Sequence, residues 1–334
     1  MKCTPLDDDL VRHYKNVVNF MIEGRIVPFL GAGANLSDRP APPFDPWQPP
    51  VPPNRSYLPS GAELAGYLTA WHNAPANEDS KELVRVAEWV SLSAGEGSLY
   101  DSLRELFDAD YPTTALHTLM ARLPAVARQQ GWVPMQVVVT TNYDDLLERA
   151  YRAAGEEFDV LTYLATEGRF VHIPPDGEPR VIERGAANSY LLPQDGRRNL
   201  IRPAIIKLHG AVDRVERSRD SFVISEDHYI DFLSRFNAQD LVPAPILAKL
   251  AESNFLFLGY SLRDWNVRAM LHRIWESQRH GFKSWAIQHD PGELDQLSWQ
   301  EKGVRILARP LSEYVSSLNE WIDKMPVPEP AANG

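Results

Sequence analysis

The sequence predicts an α/β protein: a parallel, doubly wound sheet with helices on both faces, a smaller helical module and an irregular insertion. Three observations predict it. Short apolar, β-branched runs recur along the chain, as buried strands do. They alternate with segments whose apolar residues return every three or four positions, which is the order a parallel sheet with crossover helices requires. Each of four apolar runs stops at a small or polar turn: Gly31-Ala32-Gly33, Thr141-Asn142-Tyr143-Asp144, His209-Gly210 and Gly259-Tyr260-Ser261.

The elements follow in order. Residues 8–23 read as a helix, with Leu10, Tyr14, Val17, Val18, Met21 and Ile22 on one face and Gly24 as its stop. "RIVPFL" (25–30) reads as a buried strand that runs into the glycines. Residues 38–60 are proline-rich and read as a loop, since proline fixes φ and removes a backbone donor. A loop of that length is either a lid or a surface excursion. Residues 60–130 read as a helical module, opened by Ser60 as a cap. The stretch 131–155 holds the strand "MQVVVTT" (135–141) and the helix "YDDLLERAYRAAG" (143–155). Residues 156–203, broken by "PPDGEP" and "PQDGR", read as an irregular insertion with some β content. From 204 to 330 the alternation resumes with the strands "AIIKL", "NFLFLGY", "SWAIQ" and "GVRIL" and a closing helix from Leu311 to about Ile322. The whole, 1–330, is expected to be a single domain.

Composition narrows the function classes. Hydrophobic residues make up 44% of the chain and charged residues 24%, as in a soluble globular protein. The net charge of -11 argues against general nucleic-acid binding, because an acidic surface repels phosphate backbones. The three arginines of "GRRNLIRP" (196–203) are expected to lie in a solvated loop. A single cysteine, Cys3, allows no internal disulfide and no cysteine zinc knuckle, so no metal is expected. No run approaches the length of a membrane span, and the N-terminus has no signal-peptide pattern, so a cytoplasmic protein with no membrane contact is expected.

In open α/β sheets, ligands sit at the carboxyl ends of the strands, near the point where the strand order reverses. The four polar turns should therefore converge. Gly31 and Gly33 can bring backbone close to an anion, or can simply form a tight turn. No Lys-Ser/Thr follows them, so they are not a nucleotide-triphosphate loop, and the third position of the dinucleotide fingerprint is Leu36. Asn142 and Asp144 can cap a helix or act on a ligand. His209, at a strand end with Gly210 leaving space in front of it, is a candidate general base or a structural histidine. Ser261 and Asp264 of "GYSLRDWN" can contact ribose or phosphate, or cap the next helix. His117 and His228 read as structural. There is no Gly-x-Ser-x-Gly nucleophile elbow.

The ordered set "GAG" (Gly31–Gly33), "TTNYD" (Thr140–Asp144), "KLHG" (Lys207–Gly210) and "LGYSLRDWN" (Leu258–Asn266) resembles the sirtuin family. It is most similar to the bacterial sirtuin-like branch that acts in antiphage defence, and the resemblance runs from about residue 10 to 325. It implies a Rossmann-like sheet and a substrate, NAD+, whose nicotinamide–ribose bond is cleaved. On this pattern Asn142, His209 and Asp144 are the catalytic residues. Gly31, Ala32, Gly33, Asn35, Asp38, Thr141, Gly259, Ser261 and Asp264 are the NAD-binding ones. The family's deacylases carry serine where this chain has Asn35, and an Ile-Pro-Asp-Phe-Arg run where it has "NLSDRP". Their zinc module has no cysteines to form it here.

The expectation is NAD+ hydrolysis to nicotinamide and ADP-ribose, linear or cyclic. Asn142 would position water, Asp144 would stabilise the ribose, and His209 would act as base. The alternatives are a sensor that binds NAD or ADP-ribose without turnover, and a protein deacylase or ADP-ribosyltransferase. A homo-oligomer is expected, triggered by self-assembly or by a separate sensor or ATPase partner.

Overall fold

A computed structural model describes residues 8–39, 57–75, 81–175, 178–190, 192, 202–261, 268–269, 271 and 284–326. The proline-rich residues 40–56, most of "GRRNLIRP" and Asp264 lie outside the described residues, as does most of the helix expected after it.

One nine-stranded sheet organises the chain. Its strands are β1 (Ile26–Leu30), β2 (Val137–Thr140), β3 (Asp159–Leu164), β4 (Arg169–Ile173), β5 (Arg180–Ile182), β6 (Ala204–Lys207), β9 (Asn254–Leu258), β10 (Ser284–Gln288) and β11 (Val304–Ala308). A small ribbon of β7 (Gly210–Ala211) and β8 (Ser221–Phe222) stands apart. The order across the sheet is β11-β10-β9-β1-β2-β6-β3-β4-β5. All neighbours from β11 to β3 are parallel; β4 and β5 add antiparallel pairs at one edge. From β1 the chain first builds the side that holds β2 to β6, with β6 inserted last between β2 and β3, and then crosses to build the other side through β9, β10 and β11. The order therefore reverses between β1 and β9, and that is the switch point.

β1 is central and carries Pro28, which a central strand normally excludes. The register explains the exception. Even-numbered residues of β1 face β2, as the Thr141 amide donating to the Leu30 carbonyl shows, and pairing with β2 begins only at Phe29. The donor that Pro28 lacks falls just outside that ladder.

The insertion expected over 156–203 is corrected by the structure. Residues 159–182 supply three strands to the main sheet, and β3 pairs in parallel with β6 through Asp159↔Ala204 and Thr162↔Lys207. "DVLTYL" is apolar enough to be buried along its whole length. The Pro/Gly turns that follow it, at 174–179 and 193–197, hid this in the sequence.

Two layers of helix cover the sheet. On one face lie α1 (Asp8–Ile22), α5 (Ala115–Gln129), α6 (Leu146–Ala153) and the C-terminal helix Leu311–Asp323, around Tyr14, Met21, Met120, Tyr151 and Leu318. On the other lie α7 (Glu226–Arg235), α8 (Ala238–Leu241), α9 (Ala244–Ala251) and the helix Glu293–Gln300, around Phe232, Ile246 and Trp299. A third apolar cluster holds α2 (Gly61–Trp71), α3 (Leu83–Ala94) and α4 (Glu96–Phe107) together with Tyr111, Leu146, Val212 and Phe222. The helical module thus shares side chains with the turns after β2 and β6, while α5 packs with the sheet's own layer. Ser60 caps α2 in a full capping box with Glu63, as its sequence signature predicts.

His13 ties α1 to the C-terminal helix through Nε2 and the Tyr314 hydroxyl, 2.8 Å apart. Burial, and secondarily Arg305, lowers its pKa from 6.5 to about 4. Between those values the unfolded chain binds a proton that the folded chain rejects. The stability that follows is complete above pH 6.5 and is lost as pH falls towards 4. The urea midpoint of the wild type should therefore fall more steeply over that interval than that of His13→Gln. Parallel pH profiles would disprove the assignment.

Candidate functional site

Three glycines form the switch point because two backbone turns meet closely there. The Gly31 amide donates to the Leu258 carbonyl (3.1 Å) and the Gly33 amide to the Gly259 carbonyl (2.8 Å). A Cβ on Gly31 or Gly33 would stand 2.6 or 2.7 Å from the Gly259 oxygen. Gly259 itself has φ +65°, and a Cβ there would stand 2.1 Å from the Ala34 nitrogen. The sequence left two uses open for Gly31 and Gly33, close approach of their backbone to an anion or a tight turn. In the structure both are engaged with β9, and the glycines serve to lock the β1 turn onto the β9 turn.

The ladder places the other turns at the same level. Leu30 pairs with Thr140 and with Leu258, and Thr140 pairs with Lys207. Two residues further along each strand stand Ala32, Asn142, His209 and Tyr260, in neighbouring positions beyond the sheet edge. The Asn142 side-chain amide donates to the Gly31 carbonyl (3.2 Å), and its backbone amide donates to Thr140 Oγ1 (3.1 Å). Its Oδ1 is thereby turned away from the glycine turn. The Thr141 amide donates to the Leu30 carbonyl at 3.2 Å and extends the β1–β2 ladder by one step.

Asp144 is buried between the two turns. Its Oδ2 accepts from the Asn35 amide nitrogen at 2.8 Å, and its Oδ1 accepts from the Leu146 backbone amide at 3.1 Å at the start of α6. Asn35, where the deacylase pattern has serine, is thus bonded to the carboxylate that ends the "TTNYD" run. Its Oδ1 is buried and has no hydrogen-bond partner among the described residues. Below Asp144 the Lys207 ammonium donates to the Asp144 carbonyl and to Glu148 Oε1, the latter at 2.8 Å. Lys207 and Glu148 are both buried, so this is an ion pair inside the protein. Sequence reasoning gave neither a role. The signal was a lysine inside the otherwise apolar run "AIIKL", at the last position of β6, since a buried ammonium requires a partner.

The remaining candidates have more structural settings. Asp38 Oδ2 accepts from the Ala115 amide (2.6 Å) at the start of α5, and Oδ1 accepts from the Ser37 hydroxyl (3.0 Å). It anchors the end of the 32–36 turn to a helix N-terminus, where a carboxylate is favoured. His117 closes the same helix start, with Nδ1 2.9 Å from Thr114 Oγ1. Burial lowers its pKa, against the opposing pull of Asp144 and Glu148.

His209 is only 2% exposed; its ring meets Tyr229 and Phe232 edge-on, at 5.3 and 5.6 Å between centroids. Gly210 was expected to leave space in front of it. Its φ of +84° and a would-be Cβ 2.1 Å from the Ser221 carbonyl show that β8 fills that space. Ser261 is exposed, and its carbonyl accepts from the Gln288 amide at 2.8 Å.

The site is therefore a buried polar cluster of Asn35, Asn142 and Asp144 beside a glycine-built switch point, with His209 one strand along. This arrangement defines an α/β protein with a polar cluster, a candidate ligand site, at the carboxyl ends of its central strands. Among the described residues no group of His, Cys, Asp and Glu could hold a metal, and no helix is long and apolar enough to cross a membrane.

Residues 136–307 match the family of SIR2-like domains, and the chain belongs to that family. It is 24% identical over 308 residues to Defense-associated sirtuin 2 of Bacillus subtilis, a match that covers 90% of this chain and 25% of that protein. The chain thus spans about a quarter of the length of that relative.

Proposed function

We propose that this chain is an NAD+ glycohydrolase that breaks the nicotinamide–ribose bond, and that it serves bacterial antiphage defence by depleting NAD+. The observation that carries the reading is the joining of Asn35, Asp144 and Asn142 to the Gly31–Gly33 turn at the switch point. A relative named for defence supports the biological role.

NAD+ lies across the strand ends with its pyrophosphate over the Gly31–Gly33 turn. Thr141, Gly259, Ser261 and Asp264 contribute to the ribose and phosphate contacts. Cleavage develops positive charge at the anomeric carbon as neutral nicotinamide leaves. The Asp144 carboxylate, fixed by Asn35 and by the start of α6, opposes that charge. Asn142 donates to Gly31, which leaves Oδ1 to accept from the attacking water. His209 takes the water's proton, which requires its cover of Tyr229 and Phe232 to open. General-base catalysis of this kind is worth about 10²–10⁴ in rate. A second copy of the chain, or a separate sensor or ATPase protein, supplies the trigger.

Reaction in ¹⁸O-labelled water tests this reading. Hydrolysis places one labelled oxygen on the released ADP-ribose, whereas cyclisation places none. NAD+ that binds and stays intact would instead identify a sensor.

A further inference from the structure

On the face of the sheet that carries α1 and α6, a cleft of about 490 Å³ opens beside the β3–β4 pair. Val160, Val171 and Ile173 form an apolar wall of it, α6 contributes Glu148 and Arg152, and Lys207 borders it. Its β3–β4 wall lies on the far side of β6 from the switch point, and it meets the strand-end turns at Asp145 and at Ala211–Arg214.

Two groups in the cleft have unmet chemistry. Glu148 is 6% exposed; Oε1 accepts from Lys207, and Oε2 has no hydrogen-bond partner among the described residues. A buried carboxylate oxygen without a donor is unusual in a folded protein. Arg152, one helical turn further along the same face of α6, is exposed. Its guanidinium lies over the Phe158 ring at 5.7 Å and forms no ion pair among the described residues. The rim charges are already matched: Arg214 with Asp145 at 2.9 Å, and Arg219 with Asp213 at 2.7 Å.

The cleft thus offers one acceptor at depth, one cation towards solvent and a β-branched wall between strands. A fitting ligand has an N–H donor at one end, an anion at the other and a flat apolar body. An amino acid would satisfy both charges and leave most of the volume empty, whereas sites of this size hold nucleotide-sized ligands. We propose that the cleft is a second ligand site, for a purine mononucleotide whose exocyclic amine donates to Glu148 Oε2 and whose phosphate pairs with Arg152.

Calorimetric titration of the full chain with AMP tests this, with adenosine and inorganic phosphate as separate probes. AMP should bind, each fragment should bind at least tenfold more weakly, and Asn142→Ala should leave AMP affinity within twofold of wild type. Arg152→Glu, an exposed change that spares the fold, should weaken AMP at least tenfold. Glu148→Gln should do the same, because it presents an N–H to the ligand's own N–H. AMP affinity untouched by Arg152→Glu would overturn the proposal, as would loss of binding in Asn142→Ala or no AMP binding at all. Binding of phosphate alone as tightly as AMP would also overturn it, by reducing the cleft to an anion site. None of these outcomes depends on whether the chain turns over NAD+.

Discussion

Lys207→Ala is expected to destabilise the protein by about 3–5 kcal/mol, the range for removing one partner of a buried ion pair. Three losses add. Glu148 is left buried without its cation at 2.8 Å. The Asp144 carbonyl loses a charged donor. A cavity opens at the end of β6, where the side chain is 2% exposed. Replacing both partners by apolar residues, as in Lys207→Met with Glu148→Leu, should recover much of that loss, since no uncompensated charge remains. Denaturant midpoints of the two single variants and the double variant measure this directly. A single-variant cost below about 1 kcal/mol would mean that the pair does not hold the Asn142–Asp144 turn in place.

Gly259→Ala should cost about 3 kcal/mol or more, from left-handed backbone strain of about 1–2 kcal/mol plus a steric clash. Its φ is +65°, and the added carbon meets the Ala34 backbone nitrogen at 2.1 Å, where no side chain can rotate away. The β1 and β9 turns would have to part, so the strand-end site should fail along with stability. Gly66→Ala is the matched control. It lies inside α2 with nothing within 4 Å of the added carbon, so it should be neutral or stabilise by up to about 1 kcal/mol. Equal midpoints for the two variants would contradict this account of the switch point.

Much of the fold was legible because local pattern and tertiary use agree. The face of α1 read from Tyr14, Val17, Val18, Met21 and Ile22 is the face that is buried. Strands β1, β2, β6 and β9 are apolar runs buried along their whole length, and each turn that follows them lies at the predicted sheet edge. Legibility ended where partners lie far apart in the chain. The Asn35–Asp144 bond joins residues 109 apart, and Lys207–Glu148 joins residues 59 apart. Neither pairing leaves a local pattern. Asn35 was read as an NAD-binding position and as a departure from the deacylase pattern, and its bond to Asp144 supplies a physical reason for an amide there. Strand β3 was missed because the two Pro/Gly turns that follow it outweighed six residues of strand. Helix α5 read as part of the helical module by adjacency, although Leu116, Met120 and Leu123 pack in the α1 layer. Gly210 was read as open space before His209, and only the pairing of β7 with β8 reveals what fills it.

Nicotinamide release from NAD+, followed side by side for the wild-type chain and a folded Asn142→Ala variant, tests the central claim most directly. The wild type, with its trigger where one is needed, should release nicotinamide and ADP-ribose in equal amounts. The variant should keep its thermal stability and lose about 10²-fold or more of that rate. Release by the variant at the wild-type rate, or NAD+ that the wild type binds and leaves intact, would contradict the assignment of this site to NAD+ cleavage.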